Sequence, residues 1–356
     1  MTVEHAATSL ERQARACAAM AAGRYADLLS RAAADVRAGG LFAEVLAGHL
    51  DAPFGAAVPL RLLGGVHALV LTGRAPELAA FYPSAGGRQV PGDADACWDA
   101  FRAVVATERD TVRDWLRRPP QTNEVGRANL LVAGLLYALG EVGGRPVRLV
   151  ELGASAGLNL RADLFRVEAP GWAWGPADSP VRLPDAWRDG TPDWLPAAAA
   201  AYPELTVLER LGCDLTPLDP TSADGALALR AYVWPEHTDR AARLAGALAL
   251  ARRVPARVTA MGAADFLAGI DPRPGTLTVV WHSVMRQYVP ADEWARVSAE
   301  LDRLAAAADA DAPVAHLLFE PDLLDGRHFQ LHARINTAPP QLLAEAHPHG
   351  LPAHHP

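Results

Sequence analysis

An α/β fold is what this sequence predicts: a parallel sheet with helices on both faces, preceded by an α-helical N-terminal domain. Three observations carry the prediction. Over 257–319, short branched-apolar runs alternate with helical periodicity, the pattern of parallel strands covered on both sides. At 147–160 a strand, a turn of small residues and a helix start follow one another. From about residue 10 to 140 the chain is rich in Ala, Leu and Arg at helical spacing.

In chain order, apolar residues three and four apart predict a helix over 11–38, stopped by Gly39-Gly40, and a shorter one over 41–50. A buried helix over 59–71 carries His67 in an apolar setting, where a histidine is a packed, hydrogen-bonded core residue. The helix over 97–117 places Trp98, Phe101, Val105 and Trp115 toward the core. Pro119-Pro120 end it, and Thr122 or Asn123 caps the next helix, which runs to Leu139 and stops at Gly140. Gln121, Asn123, Glu124 and Arg127 offer more hydrogen-bonding side chains than a cap requires, which makes them candidates to face a ligand.

The strand over 147–152 ends at Glu151, where open α/β sheets bind ligands, and Gly153 and Gly157 punctuate the turn that follows. Small residues there let backbone approach a ligand, and the free N–H groups of a helix start attract an anion. A short helix over 158–165 and a strand at 166–168 come next. The stretch 171–196, with Trp172, Trp174, Trp187 and Trp194 among prolines and glycines, reads as an inserted irregular or hairpin region. The domain organisation is therefore a helical N-terminal (cap or substrate) domain over 1–142 and a sheet domain over 143–356, with an insertion at about 169–204. Another strand lies within 205–219. The helical stretch 223–253 is broken at Pro235 and restarted by Thr238 or Asp239, which leaves Tyr232, Trp234 and His237 at a kink. Strands at 257–261, 276–281, 313–319 and finally 329–335 alternate with helices ending at Gly269 and spanning 292–308. The tail, with His347, His349, His354 and His355 in a Pro-rich setting, reads as solvated, and no metal site is expected.

At 356 residues the chain is long for one domain, and its 50% hydrophobic content suffices for a sizeable core. A net charge of −8 gives no electrostatic reason to expect nucleic acid or an anionic membrane surface. No apolar run reaches bilayer-spanning length, with 130–139 about half of it, and the basic-then-apolar layout of a secretory signal is missing. Cys17, Cys97 and Cys213 are too scattered for a disulfide framework or a C-x-x-C metal site. A cytoplasmic protein acting on a small molecule is the expectation, and the sequence does not indicate an oligomeric state.

Glu151 followed by Gly153, Ser155 and Gly157 resembles the first motif of class I S-adenosylmethionine-dependent methyltransferases, an acidic residue before G-x-G-x-G, with serine in place of the middle glycine. The chain as a whole is similar to the bacterial family called domain of unknown function 2332. That similarity runs through Gln121-Thr122-Asn123-Glu124-Val125-Gly126-Arg127, the segment from Glu151 to Asn159, Asp178-Ser179-Pro180-Val181-Arg182-Leu183, and Val233-Trp234-Pro235-Glu236-His237-Thr238-Asp239-Arg240. The resemblance implies a Rossmann-like methyltransferase sheet with S-adenosyl-L-methionine as cofactor. On it, Glu151, Gly153, Ala154, Ser155, Gly157 and Asn159 frame the methionine end, and Asp265 meets the adenine. The ribose carboxylate is either Glu168, by its spacing from Glu151, or Asp214, if the Trp-rich stretch is inserted before the second sheet strand. His282 and Ser283 stand where related enzymes place residues beside the transferred methyl.

Methyl transfer from a sulfonium needs in-line approach more than acid–base help, so positioning in a water-excluding cavity is the protein's main task. A hydroxyl or ammonium acceptor would need a base, with His282 first by placement and His237 and Tyr288 next. Aromatic faces from Trp234, Trp281, Tyr232 or Tyr288 would hold a sulfonium by roughly 0.5–2 kcal/mol. Trp234 joins Gln121, Asn123, Glu124 and Arg127 as an expected substrate-binding residue. Two rivals stay open. Attack at another carbon beside the sulfonium (cyclisation or aminocarboxypropyl transfer) releases methylthioadenosine instead, and a non-catalytic binding protein on the same fold would accommodate Ser155. A dinucleotide oxidoreductase is disfavoured, because the turn lacks G-x-G-x-x-G spacing.

Overall fold

The computed structural model describes residues 2–322 and 328–355. The chain divides into a helical unit, Met1–Thr122 with Ala223–Ala241, and a sheet unit, Asn123–Ser222 with Ala242–Pro356. The helix Ala128–Val142 therefore belongs with the sheet, and the stretch 223–241 with the helices.

In the helical unit, Thr2–Ala19, Gly23–Arg37, Leu41–Val45, Val58–Leu71, Ala94–Thr107 and Arg109–Leu116 bury Leu10, Leu28, Leu29, Phe42, Leu62 and Phe101 in one core. The single helix expected over 11–38 is two, because Ala21 takes a left-handed φ of 57° and reverses the chain. The helix expected over 97–117 likewise breaks at Glu108. His67 is fully buried, its Nδ1 facing the Ala231 carbonyl and its Nε2 the Ser84 hydroxyl. Burial pushes its pKa down to about 4, so the ring is neutral at pH 7.

The sheet unit carries β1 (Val147–Leu152), β2 (Arg166–Ala169), β3 (Trp172–Trp174), β4 (Arg182–Leu183), β5 (Val207–Asp214) and β6 (Arg257–Ala260). It continues with β7 (Leu277–Ser283), β8 (Val314–Pro321), β9 (Phe329–Ile335), β10 (Gln341–Ala346) and β11 (Ala353–His354). Eight of these form one sheet in the order β11-β10-β9-β8-β7-β1-β5-β6. It is parallel from β6 to β8 and antiparallel from β8 to β11. The Trp-rich stretch after β1 forms a separate small sheet, β3-β2-β4, followed by the helix Trp194–Ala201. Strand β9 is not the last: β10 and β11 take the tail into the sheet edge, so the tail read as solvated is packed. Among the described residues no cluster of three His, Cys, Asp or Glu side chains is placed to hold a metal ion.

Alternation fixes what each face presents, since neighbouring residues in a strand point to opposite sides. Val150, Leu152 and Val280 pack with Val297, Leu301 and Leu304 of the helix Ala291–Ala307. On the other face lies Ala128–Val142, where a Cβ at Gly134 would come within 2.8 Å of Leu317 in β8. Hence a glycine allows the closest approach of helix to sheet. Two 18-residue stretches, Phe54–Leu71 and Val125–Val142, are apolar enough to cross a bilayer, in contrast to the sequence expectation. Most of each is buried within the protein, so core packing takes up that apolar surface. The three cysteines are buried and free.

Candidate functional site

On one side of β1 the sheet grows through β5 and β6, and on the other through β7 and β8. The carboxyl ends of β1 and β7 therefore flank the switch point of the sheet, where a crevice forms in open α/β folds. The bend leaving β1 has left-handed φ at alternate residues, 65° at Gly153, 52° at Ser155 and 65° at Gly157. Gly153 is its exposed member, whereas 154–157 are buried. Gly157 is needed twice over: its φ is positive, and a Cβ would meet Val258 at 2.7 Å.

Ser155 takes a conformation that costs a non-glycine residue roughly 1–2 kcal/mol. Asp214, at the end of β5, holds it there: Oδ2 accepts from Ser155 N at 2.9 Å, and Oδ1 from Thr216 N at 3.0 Å. Because the strain is in the backbone, Ser155→Gly is expected to be about 1 kcal/mol more stable than Ser155→Ala in urea denaturation. Equal stabilities would show that the bend carries no strain at this residue.

Three further amides of the bend are also engaged. Ala154 N donates to Cys213 O, Gly157 N to Ala154 O, and Leu158 N to Asn123 Oδ1. With the amides of Ala154, Ser155, Gly157 and Leu158 taken, the bend is not the row of free donors expected of a helix start. The helix itself is a short 3₁₀ segment, Leu158–Leu164, whose Gly157 carbonyl is gripped by the buried Arg161.

In register, Glu151 lies beside Trp281, and Leu152 beside His282. Glu151 and Trp281 thus share one face, and His282 points to the opposite one. Glu151, Asn159 and Trp281 are all buried, yet Glu151 Oε2, Asn159 Oδ1 and Trp281 Nε1 have no hydrogen-bond partner. Asn159 and Trp281 stand close enough to lower the carboxyl's pKa without a well-aligned bond to Oε2. Burial dominates and pushes Glu151 up to about 8, against these two side chains and the charges of Arg127 and Arg161.

A carboxyl raised in the folded state has a definite pH signature. Its contribution to stability is complete below its ordinary value of 4.5 and is lost as pH rises through about 8. At ~1.4 kcal/mol per unit, the loss is a few kcal/mol at most. Glu151→Gln, which cannot ionise, is expected to flatten the stability profile between pH 5 and 9. A variant profile with the native slope would assign that slope to other groups.

The polar cluster predicted from sequence converges on the same end of the sheet. Besides Asn123 capping Leu158, the Glu124 carbonyl accepts from Asn159 Nδ2 at 3.2 Å. Glu124 Oε1 accepts from Gly126 N, and its Oε2 lies 3.0 Å from His349 Nδ1. Arg127 donates to the carbonyls of Pro348 and Ser283. These side chains join the bend, the end of β7 and the C-terminal tail. Gln121 falls in the helical unit.

Both nitrogens of the buried His282 are engaged: Nδ1 is 2.7 Å from Glu320 Oε1, and Nε2 is 3.1 Å from His316 Nε2. With Glu320 ionised, Nδ1–H donates, and Nε2 shares the one proton between the two imidazoles. Burial, followed by His282, holds His316 well below the usual histidine range, so that ring is neutral. Glu320 Oε1 also accepts from the amide of Met285, and Val284 there takes a left-handed φ of 52°, a strained state for a β-branched residue. A base role for His282 would require its ring to leave this network. Tyr288, on the short 3₁₀ turn Arg286–Tyr288, is exposed. Asp265 is exposed and paired with Arg296. Of the two ribose candidates, Asp214 ends the strand next to β1, whereas Glu168 pairs with Arg166 and Arg182 in the small sheet.

His237 and Trp234 belong to the helical unit. His237 Nε2 faces the Met20 carbonyl, its Nδ1 accepts from Arg240, and its ring lies 5.2 Å from Trp234. Sequence reading missed Glu320, and it named Trp281 for its ring face and not for the indole N–H beside Glu151. The available signal for Glu320 was the one that found Glu151, a carboxylate at the carboxyl end of a parallel strand.

A family model described as "Uncharacterized protein conserved in bacteria (DUF2332)" matches residues 7–354, and the chain belongs to that family. No curated protein and no solved structure matches it.

Proposed function

For this member of a family whose description names no chemistry, we propose an S-adenosylmethionine-dependent transferase, with a Rossmann-like methyltransferase sheet, that moves a methyl group to a small molecule. The observation carrying the reading is the trio of orphaned polar atoms at the switch point, Glu151 Oε2, Asn159 Oδ1 and Trp281 Nε1. Buried groups left unpaired are costly, and two acceptors beside one donor suit the ammonium and carboxylate of an amino acid. Counted in chain order, the parallel strands run third-second-first-fourth-fifth, as in nucleotide-binding doubly wound sheets. The engagement of the Ala154, Ser155, Gly157 and Leu158 amides within the protein favours a nucleoside without a pyrophosphate over a dinucleotide.

When bound, the cofactor supplies a methyl group on a sulfonium. Glu151 and Asn159 would accept from its ammonium, with Glu151 giving up its proton as the cation arrives. Asp214 would flank the ribose while holding the bend through Ser155. The exposed Leu215 and Met261, just beyond β5 and β6, offer apolar surface for the nucleobase. Positioning and exclusion of water are the main contributions of these residues. Tyr288 is an exposed titratable group just beyond β7.

The product decides the chemistry. Mass spectrometry of S-adenosylmethionine incubated with the chain and a pool of small-molecule amines, alcohols and thiols is expected to show S-adenosylhomocysteine. Methylthioadenosine would assign attack to another carbon. Cofactor binding without either product would favour a binding protein, a reading that draws support from the full engagement of His282.

A further inference from the structure

Arg286 opens the turn Arg286–Tyr288 that follows β7, and nothing described above uses its guanidinium. The side chain is half-buried, with Cζ lying 5.1 Å over the Trp294 ring. Among the described residues that guanidinium forms no ion pair and donates no hydrogen bond. Arg161, Arg210 and Arg127, likewise buried or half-buried in the sheet unit, each donate to carbonyls or carboxylates. Arg286 therefore keeps five N–H donors for water or a ligand.

Trp294 fixes where those donors stand. It lies in the first turn of the helix Ala291–Ala307, packed against the core beneath that helix, with His282 edge-on to it at 5.4 Å and 74°. Cation–π attraction to the indole holds the guanidinium in place while its N–H edges stay free. Since His282 points away from Glu151 and Trp281, Arg286 stands on the side of the sheet opposite the orphaned trio. Met285 links the two sides: a Cβ on Gly153 would lie 3.1 Å from Met285 Cβ, so the turn carrying Arg286 abuts the bend after β1.

We propose that Arg286, held by Trp294, selects the acceptor by pairing with a carboxylate on the small molecule that receives the methyl group. This assignment rests on the cofactor reading above. A planar guanidinium meets a carboxylate through two parallel N–H···O bonds, which fixes orientation as well as charge. One cation suits the single charge of a carboxylate better than a phosphate dianion, because Arg296, on the same helix as Trp294, is already paired with Asp265 and Glu293. The position across the sheet from Glu151 and Trp281 keeps the acceptor's anion apart from the amino-acid end of the cofactor.

Calorimetric titration of the full chain with benzoate, benzamide and inorganic phosphate tests this assignment. Saturable binding of benzoate is expected, with benzamide, which has its shape without the charge, and phosphate at least tenfold weaker. Arg286→Gln is expected to lose at least tenfold in benzoate affinity, with S-adenosylmethionine affinity within twofold of native and an unchanged circular-dichroism melt. Arg286→Lys, which keeps the charge without the planar fork, is expected to lose at least threefold. In the product assay, carboxylic acids are expected to be methylated in preference to their own primary amides, and Arg286→Gln to erase that preference. Benzamide or phosphate binding as tightly as benzoate, or native benzoate affinity in both variants, would overturn the assignment. An Arg286→Gln chain that loses S-adenosylmethionine as much as benzoate would overturn it too, by giving the guanidinium to the cofactor's carboxylate. A native chain that binds S-adenosylmethionine but not benzoate would sink the acceptor assignment alone. One that binds benzoate through Arg286 but no S-adenosylmethionine would sink the cofactor reading, and the acceptor role with it.

Discussion

A Glu151→Gln chain is expected to bind S-adenosylmethionine roughly 10- to 100-fold more weakly than the native chain at pH 8.5. The amide keeps the shape of the carboxyl but not its charge. Hydrogen bonds to a charged group contribute about 1.5–3 kcal/mol, and each ~1.4 kcal/mol is tenfold in affinity. The pH matters because burial holds the Glu151 carboxyl up to about 8. Below that value, binding a cation must first expel a proton, so native affinity is expected to rise with pH from 6 to about 8 and then level off. The variant should show little of that dependence. Calorimetry in buffers of different ionisation enthalpy measures the proton released. Equal affinity of the two chains at pH 8.5 would place the ligand away from Glu151.

A Glu320→Leu chain is expected to lose about 3–5 kcal/mol of stability, the largest effect of any single change considered. Leucine approximates the volume but leaves His282 Nδ1 and the Met285 amide without their buried acceptor. The same carboxylate holds the turn in which Val284 is strained, and that turn brings Met285 against the bend: a Cβ on Gly153 would lie 3.1 Å from Met285 Cβ. Loss of the anchor should therefore weaken ligand binding at the bend as well. Glu320→Gln, which keeps an acceptor oxygen, is expected to lose about half as much. Urea denaturation followed by circular dichroism measures both, and a Glu320→Leu chain within 0.5 kcal/mol of native would contradict this role.

The parts of the fold legible in the sequence were those where one local signal suffices. β1, β7 and β8 are short apolar runs with turn residues at their ends, and a buried parallel strand needs nothing more. The misplaced ends have physical causes. Gly140 lies inside the helix it was expected to stop, which continues to Val142 before Gly143 turns to a φ of 80°. Ala21 breaks a helix without being a glycine. Strand β11, two residues long in a His- and Pro-rich tail, owes its existence to β10 beside it and carries no periodicity of its own.

For the site, Glu151 and the small-residue bend were legible, since an acidic strand end before alternating small residues is a local pattern. Which face each neighbour takes was not. Trp281 and His282 are adjacent in sequence, and only the register of β7 on β1 puts the indole beside Glu151 and the imidazole on the far side. The choice between Glu168 and Asp214 as the residue ending the strand next to β1 was likewise a question of pairing.

Titration of the full chain with S-adenosylmethionine and, separately, with NAD at pH 8.5 tests the central claim most directly. Saturable one-to-one binding of S-adenosylmethionine, lost in Glu151→Gln, with no binding of NAD, is the predicted result. Binding of NAD, or no binding of S-adenosylmethionine at any pH between 6 and 9, would contradict the account.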